Sequence, residues 1–184
     1  MVGRTSAHSR EHGAPVRRRR APVRRSGDGF VIDLGDEEAA LVVRLLDELR
    51  QLLTSSSPDS DERVLLVRLF PVVHPDDDEA EAEYQRLMRD ELVESKLAAM
   101  ERVDEVLAPG SKGSRNDRMF DEEQLVAFMQ SVNAIRLVLG TMLGVTDDPD
   151  VDEVVEQMES SPEYHLYTYL SWLLDHCVRA VSTD

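Results

Sequence analysis

The residues best suited to metal chemistry lie near the middle of the chain. His74 is followed by a run of acids, Asp76 to Glu79. Carboxylates beside a histidine are ligands that divalent cations accept. Acids in a first helical turn are also what the helix dipole favours. We therefore interpret this run as the start of a long helix and predict no metal site there.

The C-terminal segment carries the other chemically suggestive side chains. His165 and His176 are too far apart on one predicted helix to share a zinc ion without further ligands. Cys177, the only cysteine, lies within a leucine face, which predicts an inert core thiol; a redox role would need exposure and a lowered pKa. The sequence has no nucleophile elbow, phosphate loop or dinucleotide fingerprint. We predict a non-enzymatic protein without a cofactor.

The N-terminal segment is the only obvious basic part of the chain. Residues 1–27 contain eight arginines and one acid, a charge of +7, whereas the whole chain carries −16 and the remainder therefore −23. Prolines oppose helix here, and we predict a disordered basic arm over residues 1–28. In one interpretation its arginines contact the phosphates of DNA; in the other it is a solvated tail. The predicted contacts are Arg17, Arg18, Arg19, Arg20, Arg24 and Arg25.

Apolar spacing from residue 29 to residue 184 predicts one all-α domain. A short β-prone run at Phe30–Leu34 has no evident partner, and glycine, serine and charged residues predict a flexible loop over residues 108–120. The expected architecture is a single bundle of about five helices. These are Asp36 to Thr54, about Asp61 to Phe70, Asp77 to Leu107, Asp121 to Leu143 and Pro162 to Val181.

The predicted fourth helix contains an arginine on its apolar face. Arg136 is flanked by Asn133 and Gly140 on the adjacent strip of the helix surface. Because buried charges are normally paired, we expect an ion pair, with Glu91 or Asp175 as its partner. The alternative is that Arg136 projects into a cleft or a partner surface.

The last predicted helix has two occupied faces. Leucines form one face, and a separate row, spaced four, three and four residues apart, comprises His165, Tyr169, Trp172 and His176. Tryptophan and tyrosine suit interface anchors, so this row predicts a partner or homodimer contact. The alternative is a wide helix face that is buried in the same bundle.

Three segments carry a resemblance to a known family. They are Arg-Leu-Phe-Pro at residues 68–71 with the acids that follow, Asn133 to Val145, and Tyr-Leu-Ser-Trp-Leu at residues 169–173. Over about residues 29–182 the chain resembles the actinomycete oxidative-stress regulator (AosR-like) family. Nineteen arginines against two lysines also suit a high-GC actinobacterial coding sequence.

The resemblance implies a cytoplasmic transcriptional regulator that acts with an alternative sigma factor and RNA polymerase under oxidative stress. Family members are thought to sense oxidation through a cysteine pair. Here Cys177 is alone, so only an intermolecular disulfide or a sulfenic acid could take that role. The second hypothesis is a homodimeric helical scaffold or adaptor with no DNA role. No apolar run approaches the roughly 20 residues of a membrane span, so no membrane contact is expected.

Overall fold

Four long helices, one short helical turn and a small sheet make up the described part of the chain. The structure is a computed structural model that describes residues 21–55, 62–108, 117–145 and 160–182. The strands are β1 (Val23–Ser26), β2 (Gly29–Asp33) and β3 (Asp117–Phe120). The helices are α1 (Asp36–Ser55), α2 (Glu62–Leu65), α3 (Asp78–Leu107), α4 (Glu122–Met142) and α5 (Pro162–Ser182).

The sheet corrects the all-α prediction. Its strand order is β1-β2-β3, and both pairings are antiparallel. A two-residue turn joins β1 to β2, and Gly27 takes its first position with a φ of 61°, a region that glycine enters without steric cost. The β-prone run around Phe30 therefore has two partners, Arg25 on one side and Phe120 on the other.

Both partner strands lie where the sequence predicted no regular structure. Strand β1 falls inside the predicted disordered arm, and β3 falls inside the predicted flexible loop. The C-terminal boundary of the predicted arm is therefore wrong, because residues 23–26 belong to the fold. Residues 1–20 lie outside the described part of the chain. Pairing with the apolar central strand, and not local composition, makes these polar segments extended.

Helices α1 and α3 begin as the sequence predicts. Helix α1 has three acids in its first turn and buries one leucine-rich face. Helix α3 is capped by Asp77, whose carboxylate accepts the backbone N–H of Ala80 at 2.9 Å. This bond, together with the acids of the first turn, accounts for the run after His74 by helix capping.

Helix α4 is the central element and contacts α1, α2, α3, α5 and the sheet. Its first turn forms a capping box: the Asp121 side chain accepts from Gln124 N–H, and the Gln124 side chain accepts from Asp121 N–H. Gly144 follows its end with a φ of 63°. By length and composition α4 is the one helix of the described ranges that could cross a membrane, but half of its most apolar window is buried inside the fold.

The predicted second helix is much shorter than expected. Only Glu62–Leu65 is helical, and the chain then continues in turns, with Leu69 N–H donating to the Leu66 carbonyl at 2.9 Å. Leu66, Leu69 and Phe70 are buried, whereas Val64 and Val67 are more than half exposed. The number of long helices is therefore four and not five, because this segment closes against α4 in place of extending.

Candidate functional site

Three members of the predicted row on α5, Tyr169, Trp172 and His176, form a ladder of neighbouring rings. Tyr169 and Trp172 stack with their centroids 5.9 Å apart, and Trp172 and His176 lie 4.5 Å apart. The Trp172 residue is 45% exposed, although the same helix buries Leu170 and Leu173 completely. The ladder therefore presents a large, oriented indole to solvent from a rigid helix.

Tyr169 anchors one end of this ladder to the fold. Its hydroxyl donates a hydrogen bond to Glu38 Oε1 at 3.3 Å, at the start of α1. Burial raises the pKa of Tyr169 well above its usual value, and the negative charges of Glu38 and Asp33 add to the effect. The row thus divides: Tyr169 is half-buried within the bundle, whereas Trp172 and His165 are exposed.

The arginines predicted to contact DNA have different environments. Arg24 donates to Asp117 Oδ2 at 2.7 Å and is half-buried, so its charge is compensated inside the sheet. The Arg25 guanidinium lies 5.5 Å from the centre of the Phe30 ring and remains exposed. The predicted contacts in Arg17–Arg20 lie outside the described residues. Arg24 is therefore a poor candidate for a phosphate contact.

The predicted α4 motif is assembled around a tyrosine of α5. The Arg136 guanidinium donates to Tyr167 Oη at 3.2 Å and, through Nε, to Asn133 Oδ1 at 3.4 Å. The guanidinium carbon also lies 5.6 Å from the centre of the Tyr167 ring. Neutral acceptors and a ring face thus hold this half-buried cation.

The prediction that Arg136 forms an ion pair with Glu91 or Asp175 is wrong. Glu91 is exposed on α3, and Asp175 pairs with Arg179 one turn along α5 at 3.0 Å. Arg136 and Asp175 both line an open groove between α4 and α5 of about 480 Å³. The arginine therefore reaches a cleft, which is the alternative that the sequence left open.

Because Gly140 has no side chain, Arg68 and Tyr167 can both pack against this part of α4. A methyl group at this position would lie 3.2 Å from Arg68 Nη1 and 3.3 Å from Tyr167 Cε2. Arg68 also donates to the carbonyl of Val145. The sequence analysis did not identify Tyr167, because the residues that contact it lie on another helix. It named Arg68 only as part of the segment at residues 68–71 that carries the family resemblance.

Cys177 is fully buried in the core between α5 and its neighbours. Burial raises the pKa of its thiol to about 12, so the nucleophilic thiolate is scarce at neutral pH. This environment agrees with the predicted inert core residue and does not provide the exposure that a redox role requires.

The acidic residues around His74 make contacts that stabilise the local structure. Glu81 accepts the backbone N–H groups of Val73 and His74, and these bonds lower the pKa of its carboxyl. The His74 ring packs edge-on against Tyr84. Within the ranges that the structure describes, no three His, Cys, Asp or Glu side chains converge as a set of metal ligands would.

Comparison with known proteins gives one match. The family model described as a domain of unknown function, DUF2017, matches residues 19–181. Neither the curated proteins nor the solved structures contain a match to the chain. The matched range begins before β1 and ends in α5, so it includes the sheet as well as the helices.

Proposed function

The chain belongs to the DUF2017 family, and from that premise we propose that it is a non-enzymatic regulator of transcription that binds a sigma factor or RNA polymerase. The observation that carries the proposal is the exposed Trp172 on the α5 ladder. Tryptophan is among the residues most enriched at the energetic centres of protein interfaces. Here its ring already packs against the rings of Tyr169 and His176, and such preorganisation lowers the entropy lost on binding.

Charge indicates what kind of surface the partner presents. The chain has a net charge of −16, and exposed acids lie on α5 itself and at the start of α1, including Glu163, Asp175 and Glu38. Opposite potentials accelerate association and reject like-charged partners. The bound surface is therefore a basic patch of protein with an apolar pocket for the indole.

Any DNA contact in this proposal comes from the arginines before the sheet. Arg17 to Arg20 supply four positive charges in succession. Arg24 is committed to Asp117 and is left out of the contact. The arm aids a complex that is already held near a promoter by protein contacts, because the acidic body repels phosphate.

The resemblance to the AosR-like family suggests that the regulated genes protect against oxidative stress. In this chain the signal does not enter through Cys177, because the thiol is buried and its pKa is raised. We propose that another protein detects the oxidant and that this chain responds through a change in its conformation or in its binding partner. A disulfide formed by Cys177 fits its buried position less well. The proposed cytoplasmic location follows from this role.

Trp172→Ala tests the proposal directly. Purified full-length protein would be titrated with actinobacterial RNA polymerase core, holoenzyme and free alternative sigma factors. Removal of a central tryptophan is expected to weaken binding by about tenfold or more. Because the chain has one tryptophan, the emission of the unmodified protein reports the binding event at this residue.

Val178→Ala is the matched control. Val178 is 49% exposed on the same helix but faces the groove between α4 and α5. It should leave affinity unchanged while both variants keep wild-type helicity. Equal affinity of Trp172→Ala and wild type for every polymerase component contradicts the proposal. Concentration-dependent self-association that Trp172→Ala abolishes, without polymerase binding, would assign the surface to the homodimeric scaffold.

A further inference from the structure

A second feature, independent of the α5 ladder, is a cavity between α3 and α4. Its volume is about 250 Å³, and the turn segment after α2 covers one side. Polar groups of all three segments reach it: Arg68 from the turn, Ser95 and Lys96 from α3, and Gln130, Ser131 and Asn133 from α4. The rest of its wall is aliphatic.

Ser131 is the most informative of these residues. It is only 2% exposed, and its Oγ has no hydrogen-bond partner. Other helical hydroxyls behave differently: Thr141, Ser171 and Ser182 each donate to the carbonyl four residues earlier. A buried hydroxyl without a partner is unfavourable, so a free donor at the cavity wall points to a group that binds there.

The cavity is also electrically unusual for so acidic a chain. Lys96 and Arg68 line it, and no carboxylate is among the described residues that do so. The neighbours of Lys96 one turn away on α3 are Leu92, Val93, Ala99 and Met100, none of which can pair with it. Its ammonium lies 5.8 Å from the centre of the Phe70 ring.

Desolvation alone lowers the pKa of Lys96, which means that its charge is poorly compensated in this state. The amide of Asn133 adds a further donor, because its Oδ1 already faces Arg136. Donors and cations thus converge where acceptors are scarce. This is the arrangement that favours an oxyanion.

We propose that this cavity binds a small organic anion, with its carboxylate or phosphate held by Lys96 and Ser131 and its apolar body against the aliphatic wall. The volume is below the roughly 300–1,000 Å³ of sites for drug-sized ligands. Nucleotides and dinucleotides are therefore too large, and the ligand is of the size of a short-chain or aromatic acid. Leu69, Met100 and Leu137 supply the apolar contacts.

Calorimetric titration of the full-length protein tests the proposal. Hexanoate, benzoate and hexyl phosphate serve as anionic probes, hexanamide as the neutral analogue and inorganic phosphate as the head group alone. Saturable binding of at least one organic anion is expected, with hexanamide and inorganic phosphate at least tenfold weaker. The preference between hexanoate and hexyl phosphate identifies the head group. In NMR spectra the methyl of Met100 should shift, and that of exposed Met142 should not.

Variants separate a binding role from a structural one. Lys96→Met and Ser131→Ala should each weaken the best anion by about tenfold, since hydrogen bonds to charged groups are the stronger class. Ser131→Ala should at the same time raise the melting temperature of the ligand-free protein, because it removes the unpaired hydroxyl.

Arg44→Gln and Ser182→Ala are the controls, since both residues are exposed and far from the cavity wall. They should leave affinity unchanged. Absence of saturable binding by all three organic anions overturns the proposal. Equal binding of hexanamide, or unchanged affinity in Lys96→Met, overturns it as well.

Discussion

Arg24 of β1 and Asp117 of β3 form an ion pair of 2.7 Å that crosses the central strand of the sheet. The register pairs Arg24 with Val31, which is 3% exposed, and pairs Asp117 with Asp33, two residues farther along the same face of the central strand. Arg24, which belongs to the predicted arm, therefore lies beside Val31, a buried residue of the fold. This contact ties the basic segment to the domain at a defined point.

Two truncations should differ in stability for this reason. Deleting residues 1–27 removes β1 and with it Val23, which is only 4% exposed. Loss of one buried valine and a row of backbone hydrogen bonds should lower the free energy of unfolding by about 2 kcal/mol or more relative to deletion of residues 1–20. Urea unfolding of both truncated proteins measures the difference; equal midpoints would contradict a structural role for β1. Tests of DNA binding by the arm therefore require the shorter deletion.

The ion pair itself should show measurable coupling. In a double-mutant cycle with Arg24→Ala and Asp117→Ala, we expect a coupling free energy of about 0.5–1 kcal/mol, because both side chains retain some solvent contact. The coupling should fall when salt is raised to 1 M. Additive effects of the two substitutions at low salt would show that the pair contributes nothing.

Gly29 should tolerate no side chain. A methyl group there would lie 2.5 Å from the carbonyl oxygen of Phe120, which is backbone and cannot rotate away. Gly29→Ala is therefore expected to lower the free energy of unfolding by about 1–3 kcal/mol. Gly35→Ala is the matched control, because its methyl would meet only the Glu38 side chain at 3.4 Å. Thermal unfolding should leave the control neutral or slightly stabilised; equal losses in the two variants would refute the argument.

Cys177 should make stability fall in alkaline solution. Its folded pKa is raised to about 12, so the unfolded chain loses the thiol proton first as pH rises. The stabilisation that comes from keeping this thiol protonated is complete at pH values below the unfolded pKa of about 9. It is lost as the pH rises from the unfolded pKa to the folded pKa. Between pH 8 and pH 10 the wild type should lose about 1.4 kcal/mol more than Cys177→Ala. Parallel pH profiles from denaturant unfolding would contradict this.

The burial of Cys177 also predicts that its thiol resists oxidation. Native protein should react with a thiol reagent at pH 8 far more slowly than protein in urea, because the thiol is both inaccessible and protonated. Peroxide should likewise leave Cys177 unmodified, as measured by mass spectrometry. Rapid formation of a sulfenic acid or a disulfide-linked dimer in the folded protein would restore the redox role.

The sequence predicts the parts of the fold whose signals are local. The four long helices, and the acids that begin α1 and α3, follow from residues close together in the chain. Strands β1 and β3 escape prediction because they are polar and become extended only by pairing with β2. Periodicity likewise overstates α2, since its apolar residues are buried through turns.

The candidate sites show the same division. The α5 row is visible in the sequence because its members repeat at helical spacing, and the exposure of Trp172 is consistent with one of the two interpretations. The partner of Arg136 is missed because Tyr167 comes from a different helix. The cavity beside Ser131 is invisible in the sequence, since it depends on how three segments meet and on a hydrogen bond that is not made.

The sheet also has a consequence for synthesis on the ribosome. Because chains emerge N-terminus first, the hairpin of β1 and β2 leaves the exit tunnel long before β3 is translated. During that interval one edge of an apolar strand has no neighbour and is open to other nascent chains. The arginines of β1 and the acids that begin α1 flank this edge, and their charge discourages unwanted aggregation until translation reaches β3.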